Sequence, residues 1–426
     1  MHSSDLCGPE HNPRPPLNHA LYTSRALQIH ARLFLPPDLH IRARSTPAWY
    51  SFLRRYGPCP RDQVSRRCPH CNSTRITTRG SRKKKLETVR LFRCRSCGRT
   101  FAPGPRALRN KTYPLNEILE ALTLFSRGHT LTETAAKISS RFGHKVSPST
   151  ISRWVAEHPK LTTYQRFRDR GRRLFKPTQV IRPIKLYHRQ VYEFSYHRAK
   201  LAFLADGTLD DKRAAGSAST ARFSALAEFL EYVPTRCPHD LFRAEDGARG
   251  SQLAPDFLIL DKMIVVEKTN IATDTAALIL PTVGTNYERH PKLQSFMLAN
   301  DSTTIAIEVP IWLTEQDIAA LEEQYRITIM PKEPRDPQRP HDGHKPRHIT
   351  GLIDFLQVRN GPDARTNKPI AQLTIYALAL TRLVPGLKLF DIKCAWFNER
   401  CYNEFFPRTL LLRPFAARGR ADNPNP

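Results

Sequence analysis

Two cysteine pairs, Cys68-Pro69-His70-Cys71 and Cys94-Arg95-Ser96-Cys97, flank residues 72–93. Each Cys-x2-Cys run makes a tight knuckle, and two knuckles at this separation close one tetrahedral zinc site with a short β-ribbon between them. Four thiolates fill the coordination sphere, so such a site is structural and leaves no open position for chemistry. A chain that must bring Cys68, Cys71, Cys94 and Cys97 to one point has little freedom over residues 64–104, which are expected to form a zinc ribbon. The surroundings are cationic. Arg75, Arg79 and Arg82 lead into the run Lys83-Lys84-Lys85, and Arg90, Arg93, Arg95 and Arg99 follow it. Such a surface suits phosphates, and Lys83, Lys84 and Lys85 are its candidate contacts to a nucleic-acid backbone.

That cationic character is regional. The chain has 426 residues, too many for one ordinary core, and a net charge of +28. Residues 1–200 hold 40 Lys and Arg against 11 Asp and Glu, whereas residues 201–426 hold 27 against 28. The front half therefore reads as a polyanion-binding region and the back half as an ordinary globular one. There is no apolar run long enough to span a bilayer and no signal-peptide core near the start, so no membrane partner is expected. An odd count of 9 cysteines suits a reducing compartment, and the expected location is the cytoplasm, associated with the nucleoid. With four thiols given to zinc, Cys7, Cys59, Cys237, Cys394 and Cys401 are expected to be free; neither Cys59 nor His70 is needed as a ligand.

Residues 1–63 are rich in Pro and Arg, as in Pro13-Arg14-Pro15-Pro16, and read as an extended or weakly ordered basic arm. Ala102-Pro103-Gly104-Pro105 ends the ribbon. Residues 111–160 read as three helices. Leu115, Ile118, Leu119, Leu122 and Phe125 recur at helical spacing up to Gly128, a second helix begins at Leu131 and closes near Gly143, and Ser147 caps a third with Pro148 at its first position. Ile151, Trp154 and Val155 point inward, while Ser149, Thr150, Ser152 and Arg153 point outward near the helix start. A helix-turn-helix offers residues to the major groove in this way, although a plain three-helix bundle shares the apolar pattern. Residues 161–185 form a basic connector whose Arg168, Arg170, Arg172 and Arg173 serve either as phosphate contacts or as a solvated face. Residues 186–412 read as an α/β domain and 413–426 as a disordered tail.

Cys94-Arg95-Ser96-Cys97-Gly98-Arg99-Thr100-Phe101, followed by Ser149-Thr150-Ile151-Ser152-Arg153-Trp154, resembles the N-terminal region of insertion-element transposases. The resemblance covers about residues 64–158 and implies a zinc ribbon and helix-turn-helix that recognise element ends. In those proteins an RNase H-like domain with three catalytic carboxylates usually follows, and no convincing set of strand-end acids is found behind this front end.

Another pattern is present instead. Thr303 to Trp312 reads as a strand bearing Glu308, His348 to Val358 as a strand with Gly351-Leu352-Ile353-Asp354, and Ile370 to Leu380 as a helix with Gln372 and Tyr376 four apart. This order is similar to RecB-type PD-(D/E)xK nucleases. The resemblance implies a restriction-endonuclease-like fold, catalytic roles for Glu308, Asp354, Gln372 and Tyr376, and Mg²⁺ as cofactor if the site is active. Such sites also need an acid and a lysine two apart on one strand, so that both share a face. Asn360-Gly361 signals a hairpin after the Asp354 strand, but Pro362-Asp363-Ala364-Arg365-Thr366-Asn367-Lys368-Pro369 cannot make the return strand. Glu267-Lys268, being adjacent, point to opposite faces and read as a decoy.

The expected architecture is multidomain: a zinc β-ribbon, a three-helix helix-turn-helix and a C-terminal α/β domain. The expected function is zinc-dependent binding of double-stranded DNA by a mobile-element-type protein with an impaired nuclease-like domain. An active nuclease or transposase, and a site-specific DNA-binding regulator, are the alternatives. A homodimer is compatible with the sequence, which holds no feature that requires one.

Overall fold

The computed structural model describes residues 26–31, 68–102, 112–188, 191–205, 217–254, 256–258, 266–268, 270–283, 285–331, 345–359, 370–397 and 402–411. Cys7, Cys59 and Cys401, the interval 360–369 with Asp363 and Lys368, and the tail 413–426 lie outside them. Over these described residues the chain is mixed α/β with two sheets. The first strand, β1 (Ala26–Ala31), belongs to the large sheet. A small antiparallel sheet follows, made of β2 (Ile76–Lys83), β3 (Thr88–Cys94) and β4 (Thr100–Phe101).

Three helices come next: α1 (Leu115–Ser126), α2 (Leu131–Phe142) and α3 (Pro148–Glu157). Their ends follow from local chemistry. Thr130 accepts from the Glu133 N–H and the Glu133 carboxylate accepts from the Thr130 N–H at 2.8 Å, a capping box worth about 1 kcal/mol. Gly143 ends α2 at φ +73°, where a side chain would be strained. Ser147 caps α3 and Pro148 occupies its first turn, as expected. Ile118, Leu122, Ala135, Ile138, Ile151 and Trp154 form the shared core.

Then come α4 (Gln165–Leu174), β5 (Ile181–Tyr187), β6 (Val191–His197), α5 (Arg198–Ala205), α6 (Ser217–Arg236), α7 (His239–Arg243), β7 (Ala248–Arg249), β8 (Val266–Lys268), α8 (Ile271–Ile279) and α9 (Asn286–Asn300). The chain closes with β9 (Thr304–Leu313), α10 (Glu315–Tyr325), β10 (Ile349–Arg359), α11 (Ile370–Leu383), β11 (Ile392–Phe397), β12 (Tyr402–Phe405) and α12 (Arg408–Leu411). The large sheet runs β5-β6-β9-β10-β1-β11-β12-β8, with β7 also on β10. One face packs on α6, α10 and α11 through residues such as Leu230, Leu321, Leu373 and Leu380; the other packs on α8 and α9 through Ile279, Leu293 and Met297.

Two sequence expectations meet a different arrangement. Ala26–Ala31, within the stretch read as an arm, pairs antiparallel with β10 and parallel with β11, so it sits inside the sheet. Its six residues carry no proline, unlike their surroundings, and can donate to both ladders. The stretch read as a connector contributes β5 to the sheet and buries Arg168 in α4. The Arg168 guanidinium lies 3.9 Å over the Phe125 ring and donates at 2.8 Å to the carbonyls of Phe125, in the last turn of α1, and His129, just beyond it. This arginine therefore ties the helices to the α/β domain. Asn300 strengthens the joint by donating to Thr123 Oγ1 at 2.9 Å. Among the described residues no helix is long and apolar enough to cross a membrane.

Candidate metal centres and nucleic-acid interface

The two knuckles repeat one backbone design. The N–H of Asn72 donates to Cys68 O at 2.8 Å, and that of Gly98 to Cys94 O at 3.0 Å; the N–H of Cys68 donates to Ser73 O at 2.8 Å, and that of Cys94 to Arg99 O at 2.9 Å. Asn72 and Gly98 both take positive φ, which asparagine and glycine tolerate best. The four sulfurs converge, with Cys68–Cys97 and Cys71–Cys94 each 3.5 Å apart. A tetrahedral zinc with bonds of about 2.3 Å would hold its sulfurs about 3.8 Å apart, so the donors fit this ion. Burial opposes ionisation of Cys94, yet the N–H groups of Cys97 and Ser96 draw its thiol down to about 6. Against the Ser73 N–H, burial and the sulfurs of Cys94, Cys97 and Cys68 push Cys71 up to about 12, a conflict that a bound cation relieves. His70 is turned away from the cluster toward the Arg99 guanidinium, 3.4 Å distant.

Not all candidate phosphate contacts are equally available. Lys83 and Lys85 are exposed, but Lys84 is half-buried and its ammonium bonds Glu87 at 2.6 Å across the β2–β3 turn. On α3, Ser149, Ser152 and Arg153 are exposed; Thr150 is half-buried and its hydroxyl lies 2.9 Å from the capping Ser147 Oγ. The Ser149 hydroxyl also lies 2.8 Å from Ser147 Oγ, so Ser152 and Arg153 are the two of the four that present an exposed polar edge without a bond to the cap.

A second cluster lies in the large sheet. Val309 pairs with Ile353 and Ile307 with Phe355, which sets Glu308 opposite Asp354. Glu308 has φ +52°, an outlier for a carboxylate-bearing residue in a strand, costing on the order of 1 kcal/mol. The pair marks a change in both strands. Ile307 and Phe355 face α8 and α9, whereas Val309 and Ile353 face the α11 layer, although two-residue steps should keep one face. This local irregularity turns the two carboxylates toward α9. There His290 and Gln294, four apart and so on one helix face, meet them. His290 Nε2 lies 3.0 Å from Glu308 Oε1 and 3.6 Å from Asp354 Oδ1. Gln294 donates to Glu308 Oε1 at 2.6 Å and to the Asp354 carbonyl at 3.1 Å. Ligand atoms of His290, Glu308 and Asp354 all fall within 4.8 Å of one another, a set of one imidazole and two carboxylates suited to a divalent cation.

Gln372 and Tyr376 join from the side, with Gln372 donating to Tyr376 Oη at 2.8 Å. Burial drives the Tyr376 hydroxyl upward from its ordinary value, and the charges of Asp354 and Glu308 add to this. A Cβ on Gly351 would run into the Tyr376 ring and hydroxyl, so the glycine of Gly-x-x-Asp is required by close approach of the helix. Sequence reasoning placed Glu308, Asp354, Gln372 and Tyr376 and missed His290. The available signal was a polar His290/Gln294 pair beside the buried apolar Leu293, Phe296 and Met297.

Among the described residues no acid-and-lysine strand flanks Asp354. On one side lies β9, Thr-Ile-Ala-Ile-Glu-Val-Pro-Ile-Trp-Leu, without lysine. On the other, β1 begins its ladder at Phe355, and Ala-Leu-Gln-Ile-His-Ala contains neither an acid nor a lysine. The edge strand β8 carries Glu267 and Lys268 far across the sheet, beyond β12.

Comparison with protein-family models, curated proteins and solved structures returns no match to this chain.

Proposed function

We propose that this protein binds double-stranded DNA through its cationic front half, and that its α/β domain binds a divalent cation at His290, Glu308 and Asp354 without hydrolysing DNA efficiently. The resemblance to a transposase-like zinc ribbon and helix-turn-helix supports the first part, together with the +28 charge. The convergence of His290, Glu308 and Asp354 carries the second. Holding a cation needs only these ligands. Hydrolysis also needs a group that orients or deprotonates the attacking water, the place of the lysine in RecB-type nucleases. Neither β9 nor β1 carries that lysine.

The experiment is calorimetric titration of Mn²⁺ into the purified chain, alongside incubation of duplex DNA with Mg²⁺ or Mn²⁺. Binding that Asp354→Ala abolishes, with the DNA intact, is the expected result. Strand breaks made by the parent chain and lost in Asp354→Ala would overturn it in favour of an active nuclease or transposase. The strained backbone of Glu308 favours that second reading, since such strain concentrates at working sites.

A further inference from the structure

A third group of ligand-type side chains lies away from both clusters. His188 follows β5, Cys237 ends the turn after α6, and His239 opens α7. Cys237-Pro238-His239 places a thiol and an imidazole two residues apart on one short turn, with the Cys237 N–H donating to Val233 O at 3.0 Å and the His239 N–H to Cys237 O at 2.9 Å. His188 reaches this turn from the sheet edge. Its Nε2 lies 3.7 Å from Cys237 Sγ, and one ligand atom from each of the three residues lies within 4.8 Å of the others. A tetrahedral zinc with bonds of about 2.3 Å to sulfur and 2.0 Å to nitrogen would set that sulfur–nitrogen edge at about 3.5 Å.

The ring of His188 is held in place. It stacks on Phe242 at 3.9 Å with an interplanar angle of 11°, and Arg243 donates to the adjacent Tyr187 carbonyl at 2.6 Å. The buried ring nitrogen His239 Nδ1 has no hydrogen-bond partner, a costly arrangement for a polar atom of a folded chain. A nucleophilic role for Cys237 is disfavoured because the residue is 6% exposed, which denies a substrate access to the sulfur. Thiol and imidazole together are the donor set of zinc.

We propose that His188, Cys237 and His239 bind a second zinc ion, with solvent at the fourth position, which staples the end of β5 to the junction of α6 and α7. This site is independent of the function proposed above.

Zinc content and zinc-edge X-ray absorption of the full chain test this, in a His290→Ala background so that the sheet cluster contributes no imidazole. Two zinc ions per chain with mixed sulfur and nitrogen scattering are expected, falling to one ion with sulfur alone on His188→Ala or His239→Ala. One all-sulfur zinc in the His290→Ala chain itself would overturn the proposal, and that measurement decides the matter even if the further variants fail to fold.

Discussion

The cysteine cluster and the His290–Glu308–Asp354 cluster both gather ligand atoms at one point, by opposite routes. The cysteines are brought together by two copies of one local turn and a single hairpin, so each ligand's place is set within five residues of its own knuckle. The sheet cluster draws on three elements, α9, β9 and β10, with Glu308 and Asp354 separated by the whole of α10. A local site lives or dies with its ligand. A distributed site depends on everything that fixes its strands and helix, including residues that touch no metal.

The largest effect expected from breaking this contrast is at the knuckles. Structural zinc supplies on the order of 10 kcal/mol of folding energy to a unit of this size. Cys94→Ser, or chelation, should abolish hydrogen-exchange protection over residues 68–101 and leave that of β9 and β10 intact. Protection lost in both would show that the two regions fold as one.

Next comes Lys200, buried in α5, whose ammonium donates to the carbonyls of Leu298 at 2.7 Å and Thr304 at 2.9 Å, and to that of Asp301. These acceptors run from the last turn of α9, the helix that carries His290, to the start of β9. Lys200→Met leaves them unsatisfied and should cost about 3 kcal/mol in denaturant unfolding. Burial also lowers the Lys200 ammonium from 10.5 to about 7. The unfolded chain keeps that proton up to the higher value, so between these limits it binds more protons than the folded chain, and stability gains with rising pH. The parent should therefore gain more stability between pH 7 and about 9.5 than Lys200→Met does, which unfolding midpoints at the two pH values will check.

Gly351→Ala should cost about 2 kcal/mol, because the new methyl group meets the Tyr376 ring. The added change Tyr376→Val should recover part of that loss; no recovery would place the damage elsewhere. The smallest effect is at the proposed DNA contacts. Arg153→Ala should weaken duplex binding severalfold and reduce the slope of log affinity against log salt by about one, read by fluorescence titration. An unchanged salt slope would remove Arg153 from the phosphate contacts.

Much of the fold was legible where the governing interactions are local. The three helices were marked by Gly128, Gly143 and Ser147-Pro148, whose roles depend on backbone groups a few residues away. β9, β10 and α11 were visible as apolar runs of the right length. The candidate site was legible in four residues, Glu308, Asp354, Gln372 and Tyr376, and illegible in His290, which only α9 packing brings to the carboxylates. Ala26–Ala31 was hidden for a related reason. A six-residue strand inside a Pro- and Arg-rich stretch has weak local preference, and its place in the sheet comes from β10 and β11, hundreds of residues later. Arg168 looked like its exposed neighbours Arg172 and Arg173 until the carbonyls of Phe125 and His129 were found around it.

The sequence by itself determined the four-cysteine cluster, because Cys-x2-Cys spacing and a following residue tolerant of positive φ are enough to aim each thiol pair. Tertiary structure decided which strand lies beside Asp354 and which way the carboxylates point. Strand neighbours are chosen by long-range burial, and the reversal of facing at Glu308 and Asp354 breaks the two-residue rule on which any reading of a strand from sequence depends.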